Sequence, residues 1–212
     1  VTLIAPTLSI AQRLCAVSRA QRVPSPALEL LIMRNVVSAA DCEALIALVD
    51  AGRRPSTIAD ANSEPLFRTS ETCDLPLSEP VVAALDAQLA AMTGIDPACG
   101  EPPQGQRYAP GQEFKAHTDY FEPDGADFAR FCATSGQRTW TLMLYLNGVD
   151  AGGATRFVTA DKIVRPETGK LLAWNNRRAD GSVNPATLHQ GMPVRRGVKY
   201  VITKWYRERP WG

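Results

Sequence analysis

The chain has 212 residues, 45% hydrophobic and 21% charged, which is enough to bury a core, too short for two independent catalytic domains, and too mixed for a disordered or low-complexity polymer. Twenty-three Lys and Arg against 22 Asp and Glu leave a net charge of +1, so no global field grips a phosphate backbone or an anionic bilayer, and neither nucleic acid nor membrane is an expected partner. Cys15, Cys42, Cys73, Cys99 and Cys132 lie 26 to 33 residues apart, an odd set without knuckle or CxxC spacing that points to reduced packing thiols and a cytoplasmic location.

In chain order, residues 1–11 are uncharged and fairly apolar, but no basic stretch precedes them, Pro6 interrupts them and Arg13 ends them. No signal peptide or anchor is expected there. A short helix is predicted over residues 6–17, with Ile4, Leu8, Ala11 and Cys15 on one stripe. A stronger one starts at the capping residue Ser38, with Asp41 three residues on, places Cys42, Leu45, Ile46 and Val49 on one face, and ends at Gly52, expected to be left-handed. Residues 53–77 read as loop with room for one short strand. A second helix opens at Ser78 and Pro80, carries Val82, Leu85, Leu89 and Met92 on one face and stops at Gly94.

From Gly100 the pattern changes to short runs of β-formers punctuated by Pro110-Gly111, Asp124-Gly125, Gly152-Gly153 and Asp180-Gly181, as in a sandwich or barrel. Residues 139–147 and 200–206 are the strongest strands. The expected organisation is one domain over 1–212: mainly helical support and loop over 1–99, and a β core over 100–209. No internal repeat is found.

Chemistry concentrates in two histidines. In a strand, His117 and Asp119 would share a face, and His189 follows 72 residues later, placed to close the other side. Two imidazoles and one carboxylate on one side of an ion form a facial triad with open positions, as in non-haem Fe(II) oxygenases. Lys199, Val201, Thr203 and Trp205 alternate onto one strand face. A lysine in so apolar a row needs an anionic partner, because an unpaired buried charge costs several kcal/mol. On the neighbouring strand, Thr139, Thr141, Met143 and Tyr145 form the more polar, cavity-like face.

These residues, with Arg107-Tyr108-x-x-Gly111-Gln112, His117-x-Asp119-Tyr120-Phe121, Gly136-Gln137-Arg138, Tyr145-Leu146-Asn147, Gly152-Gly153-x-Thr155-x-Phe157, His189 and Lys199-x5-Trp205, resemble the catalytic domain of prolyl 4-hydroxylase-type Fe(II)/2-oxoglutarate dioxygenases. The match is dense over residues 104–205; Arg68-Thr69-Ser70 and the Ser38 helix match more loosely. The resemblance implies an α+β fold, a double-stranded β-helix (jelly roll) buttressed by N-terminal helices. It implies Fe(II) on His117, Asp119 and His189, with O2 and 2-oxoglutarate as cosubstrates and ascorbate for sustained turnover. It also implies that Lys199 pairs with the distal carboxylate of 2-oxoglutarate, that the Tyr108 and Thr155 hydroxyls support that carboxylate, and that Tyr145, Thr203 and Trp205 line the pocket. The reaction would hydroxylate an unactivated C–H bond and release succinate and CO2.

Arg138 reads as a strand-edge ion-pair residue and Gly152-Gly153 as a turn, while Trp174, Asn175 and Asn176 follow a strand and can face the site. Residues 53–77 and 122–137 are candidate lids, with Asp127, Arg130 and Phe131 as substrate contacts. A peptidyl proline is the expected substrate. A free proline or another small molecule is the second reading, favoured by a short closed pocket, and a non-catalytic binding module on the same barrel is the third. The sequence is silent on oligomeric state.

Overall fold

The computed structural model describes residues 8–17, 20–57 and 66–212. Among these, the major sheet runs in the order β1 (Gln21–Arg22), β2 (Leu30–Met33), β11 (Lys170–Asn175), β7 (Arg138–Tyr145), β14 (Lys199–Arg207), β5 (Gln104–Tyr108), β4 (Glu71–Asp74) and β3 (Arg54–Pro55). A minor sheet runs β10 (Lys162–Val164), β9 (Thr155–Phe157), β12 (His189–Gly191), β6 (Phe114–His117), and β13 (Val194–Arg196) pairs with β8 (Ala151–Gly152). All these pairings are antiparallel.

Strand alternation divides the core. On β7, Leu142 and Leu144 join Ile202 of β14 against the helical layer, where Leu45, Val49, Val82, Leu85 and Leu89 are buried. The intervening Met143 and Tyr145, with Val201, Leu172 and Trp174, face inward and pack with Phe157 of the minor sheet. Truncating one such leucine to alanine costs about 2–5 kcal/mol. The site therefore sits between two sheets, on the side away from the helices.

Both strong helices form where expected. In α2 (Ala39–Gly52), Ser38 accepts a hydrogen bond from the Asp41 amide at 3.1 Å, and Cys42, Leu45 and Val49 are buried. The end of α2 differs from the expectation: Gly52 is the last helical residue and the following Arg53 is extended, at φ −69°. Packing favours glycine there, since a Cβ would lie 2.7 Å from Cys73 Sγ and would force that thiol to move. In α3 (Pro80–Thr93) Pro80 occupies the first turn and Gly94 takes the left-handed stop at φ 70°.

The first helix, α1 (Ile10–Val17), buries Ala11, as expected, together with Leu14, which the expected stripe did not include. Leu8 and Cys15 are exposed, and Ile4 and Pro6 lie outside the described residues. The first half of the chain is also more than support. Its strands β2 and β4 pair with β11 and β5 and extend the major sheet on both flanks. Among the described residues no helix is long and apolar enough to cross a membrane. All five cysteines are free thiols.

Candidate metal centre

The register of the minor sheet sets His117 of β6 directly opposite His189 of β12. Each imidazole is held in the same way: Nδ1 of His117 lies 2.8 Å from the Lys115 carbonyl and Nδ1 of His189 lies 2.9 Å from the Thr187 carbonyl. With Nδ1–H donating to those carbonyls, the Nε2 lone pairs are left for a metal. Flat rings fix the rest. Phe114 stacks on His117 at 3.5 Å between centroids, and Trp174 meets His189 edge-on at 4.9 Å.

Asp119 lies beyond the end of β6, so the shared-face argument for a strand does not place it. Side chains from the major sheet place it instead. Thr141 Oγ1 donates to Asp119 Oδ2 at 2.8 Å, Asn176 Nδ2 donates to Thr141 at 2.9 Å, and Arg138 donates to the Asp119 carbonyl at 3.2 Å. Asp119 Oδ1 is thereby left 3.9 Å from His117 Nε2. One ligand atom from each of His117, Asp119 and His189 lies within 4.8 Å of the others, the sole such cluster among the described residues.

Electrostatics favour the metal-binding forms. Burial, with His189 adding to it, pushes His117 down to about 3, so its ring is neutral near pH 7. Burial would raise the Asp119 carboxyl, but His189, His117, Arg138 and the Thr141 hydrogen bond together hold it below the usual carboxylate range. Two imidazole nitrogens and one carboxylate suit a divalent first-row metal and leave positions open for other ligands.

The inner cavity beside this cluster is lined by Tyr108, Thr155, Lys199, Thr203 and Trp205, together with Gln106, Met143, Trp174 and Val201. Lys199, Val201, Thr203 and Trp205 thus share one face of β14, as the alternation requires. Lys199 is 2% exposed and no carboxylate among the described residues pairs with it. Its ammonium lies 4.8 Å from the Tyr108 ring centroid and 5.7 Å from that of Tyr145. Burial lowers it from 10.5 to about 7.

Two residues sit differently from the expectation. Tyr145 lies behind the cavity wall: its hydroxyl donates to Thr155 Oγ1 at 2.6 Å and lies 3.2 Å from the Val164 carbonyl. The Tyr108 hydroxyl donates to Gln106 Oε1 at 2.7 Å, and Gln106 Nε2 donates to Thr203 at 3.1 Å. Tyr108 therefore offers Lys199 its ring.

A larger outer cavity of about 690 Å³ shares Arg68, Phe114, His117, Asp119 and Trp205 with the inner one and extends to Thr57, Phe67, Tyr120, Phe121, Asp127, Arg130 and Phe131. Both candidate lid segments contribute to it, although residues 58–65 lie outside the described residues. Arg68 stands at the junction of the two spaces and donates to the side-chain oxygens of Ser70, Thr72 and Gln104 at 3.0, 3.1 and 3.2 Å. Arg138 pairs with Glu101 at 2.7 Å, as a structural ion pair should, and also covers the Trp205 ring at 4.0 Å.

Sequence reasoning did not single out Gln106 or Glu101, and it placed Thr141 on the cavity-like strand face without giving it a role. Thr141 carried the clearest signal, since it shares a β7 face with Met143. Asn176 reaches the site through Thr141, whereas Asn175 turns to Glu29 at 3.2 Å.

Residues 103–207 match the model of the 2OG-Fe(II) oxygenase superfamily. The mouse prolyl 4-hydroxylase subunit alpha-1 is 31% identical over 180 residues, covering 82% of this chain and 34% of that protein. The chain thus spans about a third of the length of the curated relatives it matches. A viral collagen prolyl hydroxylase from Paramecium Bursaria Chlorella virus-1, solved as a 2OG complex, superposes with a TM-score of 0.67 at 26% identity, covering 84% of this chain and 95% of the other. A Pseudomonas putida prolyl-4-hydroxylase, at 20% identity and a TM-score of 0.60 over 94% and 99% of the two chains, shares the fold.

Proposed function

The chain belongs to the prolyl 4-hydroxylase type of the 2OG-Fe(II) oxygenase superfamily, and on that premise we propose that it is a 2-oxoglutarate-dependent dioxygenase hydroxylating an unactivated C–H bond of a prolyl residue in a peptide or protein. The observation that carries this reading is the convergence of His117, Asp119 and His189 beside a buried, carboxylate-free Lys199 in one cavity. We read the two facing sheets as a double-stranded β-helix within a single domain, residues 1–99 bracing the catalytic core at 100–209.

The donor set fits Fe(II), with His117 and His189 as nitrogen ligands and Asp119 as the carboxylate. When bound, Fe(II) with 2-oxoglutarate and O2 supplies oxidative decarboxylation to succinate and CO2 and hydroxylation of the C–H bond. A reductant such as ascorbate keeps the metal ferrous over many turnovers. The residues of this chain prepare that chemistry. Lys199 supplies the positive charge for the distal carboxylate, while Thr155 and the Tyr108 ring line its pocket. Thr203 and Trp205 shape the space between Lys199 and the metal ligands, and Tyr145 holds Thr155 in place from behind. Thr141 and Asn176 fix Asp119, so that one carboxylate oxygen is free for the metal.

The outer cavity supports a peptide over free proline. It is open, lined on several sides by aromatic rings, and far larger than one proline needs. The third reading, a binding module, is disfavoured by the intact ligand set and Lys199. The free cysteines support a reducing, cytoplasmic setting. The test is mass spectrometry of a proline-rich peptide and, separately, of free proline after incubation with Fe(II), 2-oxoglutarate and O2. One oxygen added to the peptide alone is expected; oxygen added only to free proline would replace the peptide reading.

A further inference from the structure

One wall of the outer cavity has little of its own to hold it. The helix α4 (Phe128–Cys132) has five residues, of which only Cys132 is buried, and a helix of that length has no independent stability in water. Yet this segment carries Asp127, Arg130 and Phe131 into the cavity, and Phe131 stacks on Phe121 at 5.1 Å and 15°. Of its last carbonyls, that of Cys132 accepts from the Gly136 amide at 3.0 Å, while a helix this short leaves the others to find donors outside it.

The C-terminal end of the chain provides them. Arg209 Nε donates to the Thr134 carbonyl at 2.8 Å, and its Nη2 donates to the carbonyls of Ala133 and Cys132 at 3.0 and 3.2 Å. Arg207 donates to the Phe131 carbonyl. The backbone runs alongside, with the Arg209 amide donating to Ser135 at 3.0 Å and that of Glu208 to Gln137 at 3.1 Å. Beyond it, the Trp211 amide anchors to the Ala98 carbonyl at 2.7 Å. Gln137 completes the clasp on the other ring, donating to the Phe121 carbonyl at 2.7 Å and accepting from its amide at 2.9 Å. One planar guanidinium spanning three carbonyls is a fork that lysine cannot reproduce.

We propose that Arg209 is a positioning residue for substrate binding: by bridging the carbonyls at and just beyond the end of α4, it fixes the Phe121–Phe131 wall of the outer cavity, so that the C-terminal segment sets the shape of the substrate groove from outside it. Arg209 touches neither the metal ligands nor the inner cavity. The proposal rests on the outer cavity being the substrate groove.

The experiment compares the full chain with Arg209→Ala and Arg209→Lys, using a proline-rich peptide as substrate and hydrogen–deuterium exchange as a second readout. In Arg209→Ala, exchange of residues 122–137 should accelerate while β12 and β14 keep their protection. The peptide KM should rise about tenfold, the effect of roughly one net hydrogen bond, with the KM for 2-oxoglutarate within twofold of the parent. Arg209→Lys, which can reach one carbonyl but not three, should fall between. Unchanged exchange of 122–137 together with an unchanged peptide KM would overturn the proposal. So would loss of protection throughout β12 and β14 in both variants, which would make Arg209 a residue of the fold as a whole. If the parent chain turned over no peptide, the functional reading would fail separately, and the exchange pattern would still decide whether Arg209 holds the wall.

Discussion

Replacing Lys199 by methionine should move two measurable quantities in opposite directions. The ammonium is 2% exposed, lacks a carboxylate partner among the described residues, and is held by burial at about 7 against an ordinary 10.5. That difference corresponds to about 5 kcal/mol of unfavourable burial of the charged form, on the order-of-magnitude scale of 1.36 kcal/mol per pH unit. The penalty is fully present below pH 7, where folded and unfolded chains both carry the proton. Between pH 7 and 10.5 the unfolded chain binds more protons than the folded one, so stability without ligand rises with pH across this window.

Lys199→Met removes both the penalty and that slope. A well-fitted methionine should recover about 1–4 kcal/mol, raising Tm by about 2–4 °C for each kcal/mol. The same substitution takes away the partner of the distal carboxylate of 2-oxoglutarate. Deleting one member of a buried charge pair costs about 2–5 kcal/mol, or roughly 30- to 4,000-fold in affinity. Thermal melts from pH 6 to 10 and anaerobic calorimetry with 2-oxoglutarate on metal-loaded protein read the two effects. An unchanged 2-oxoglutarate affinity, or a variant less stable than the parent at pH 6, would refute the reasoning.

Three further substitutions probe other parts of the site. Asp119→Ala should abolish hydroxylation even where metal is retained, and normal product formation would remove Asp119 from the ligand set. Thr141→Val, which cuts the hydrogen-bonded chain from Asn176 to Asp119, should weaken metal binding about 10- to 100-fold with little change in Tm; equal affinity by metal titration would show that Asp119 needs no such support. Glu101→Gln leaves the half-buried Arg138 and the buried Arg207 guanidiniums without their shared carboxylate and should destabilise the fold by about 3–5 kcal/mol. A loss under 1 kcal/mol in denaturant melts would contradict that reading of the network.

Much of the site was legible because strand alternation is a strict rule. Once β14 is recognised, Lys199, Val201, Thr203 and Trp205 must share a face, and they do line one cavity. The histidines were legible as a pair by chemistry, but their direct opposition across β6 and β12 depends on register, which a single sequence does not print. Asp119 shows the limit of the strand argument: it joins the histidines in the cluster, but the strand ends two residues before it, and Thr141 supplies what the strand does not. The Tyr108 hydroxyl donates to Gln106 and that of Tyr145 to Thr155, pairings that strand alternation alone does not specify. The strand β2 was missed in a region dominated by helix and loop signals, and β4 was expected only as one short strand somewhere within residues 53–77, since four-residue strands carry little periodicity of their own.

The central claim is that the His117–Asp119–His189 cluster and Lys199 together hold Fe(II) and 2-oxoglutarate for turnover on a prolyl peptide. It is tested most directly by loading the protein anaerobically with Fe(II) and 2-oxoglutarate, admitting O2, and following succinate with and without a proline-rich peptide. Succinate formation that requires Fe(II), is stimulated by the peptide and is lost in His189→Ala is the predicted result. Failure of the iron-loaded protein to bind 2-oxoglutarate at all would contradict it and put a non-catalytic binding role in its place.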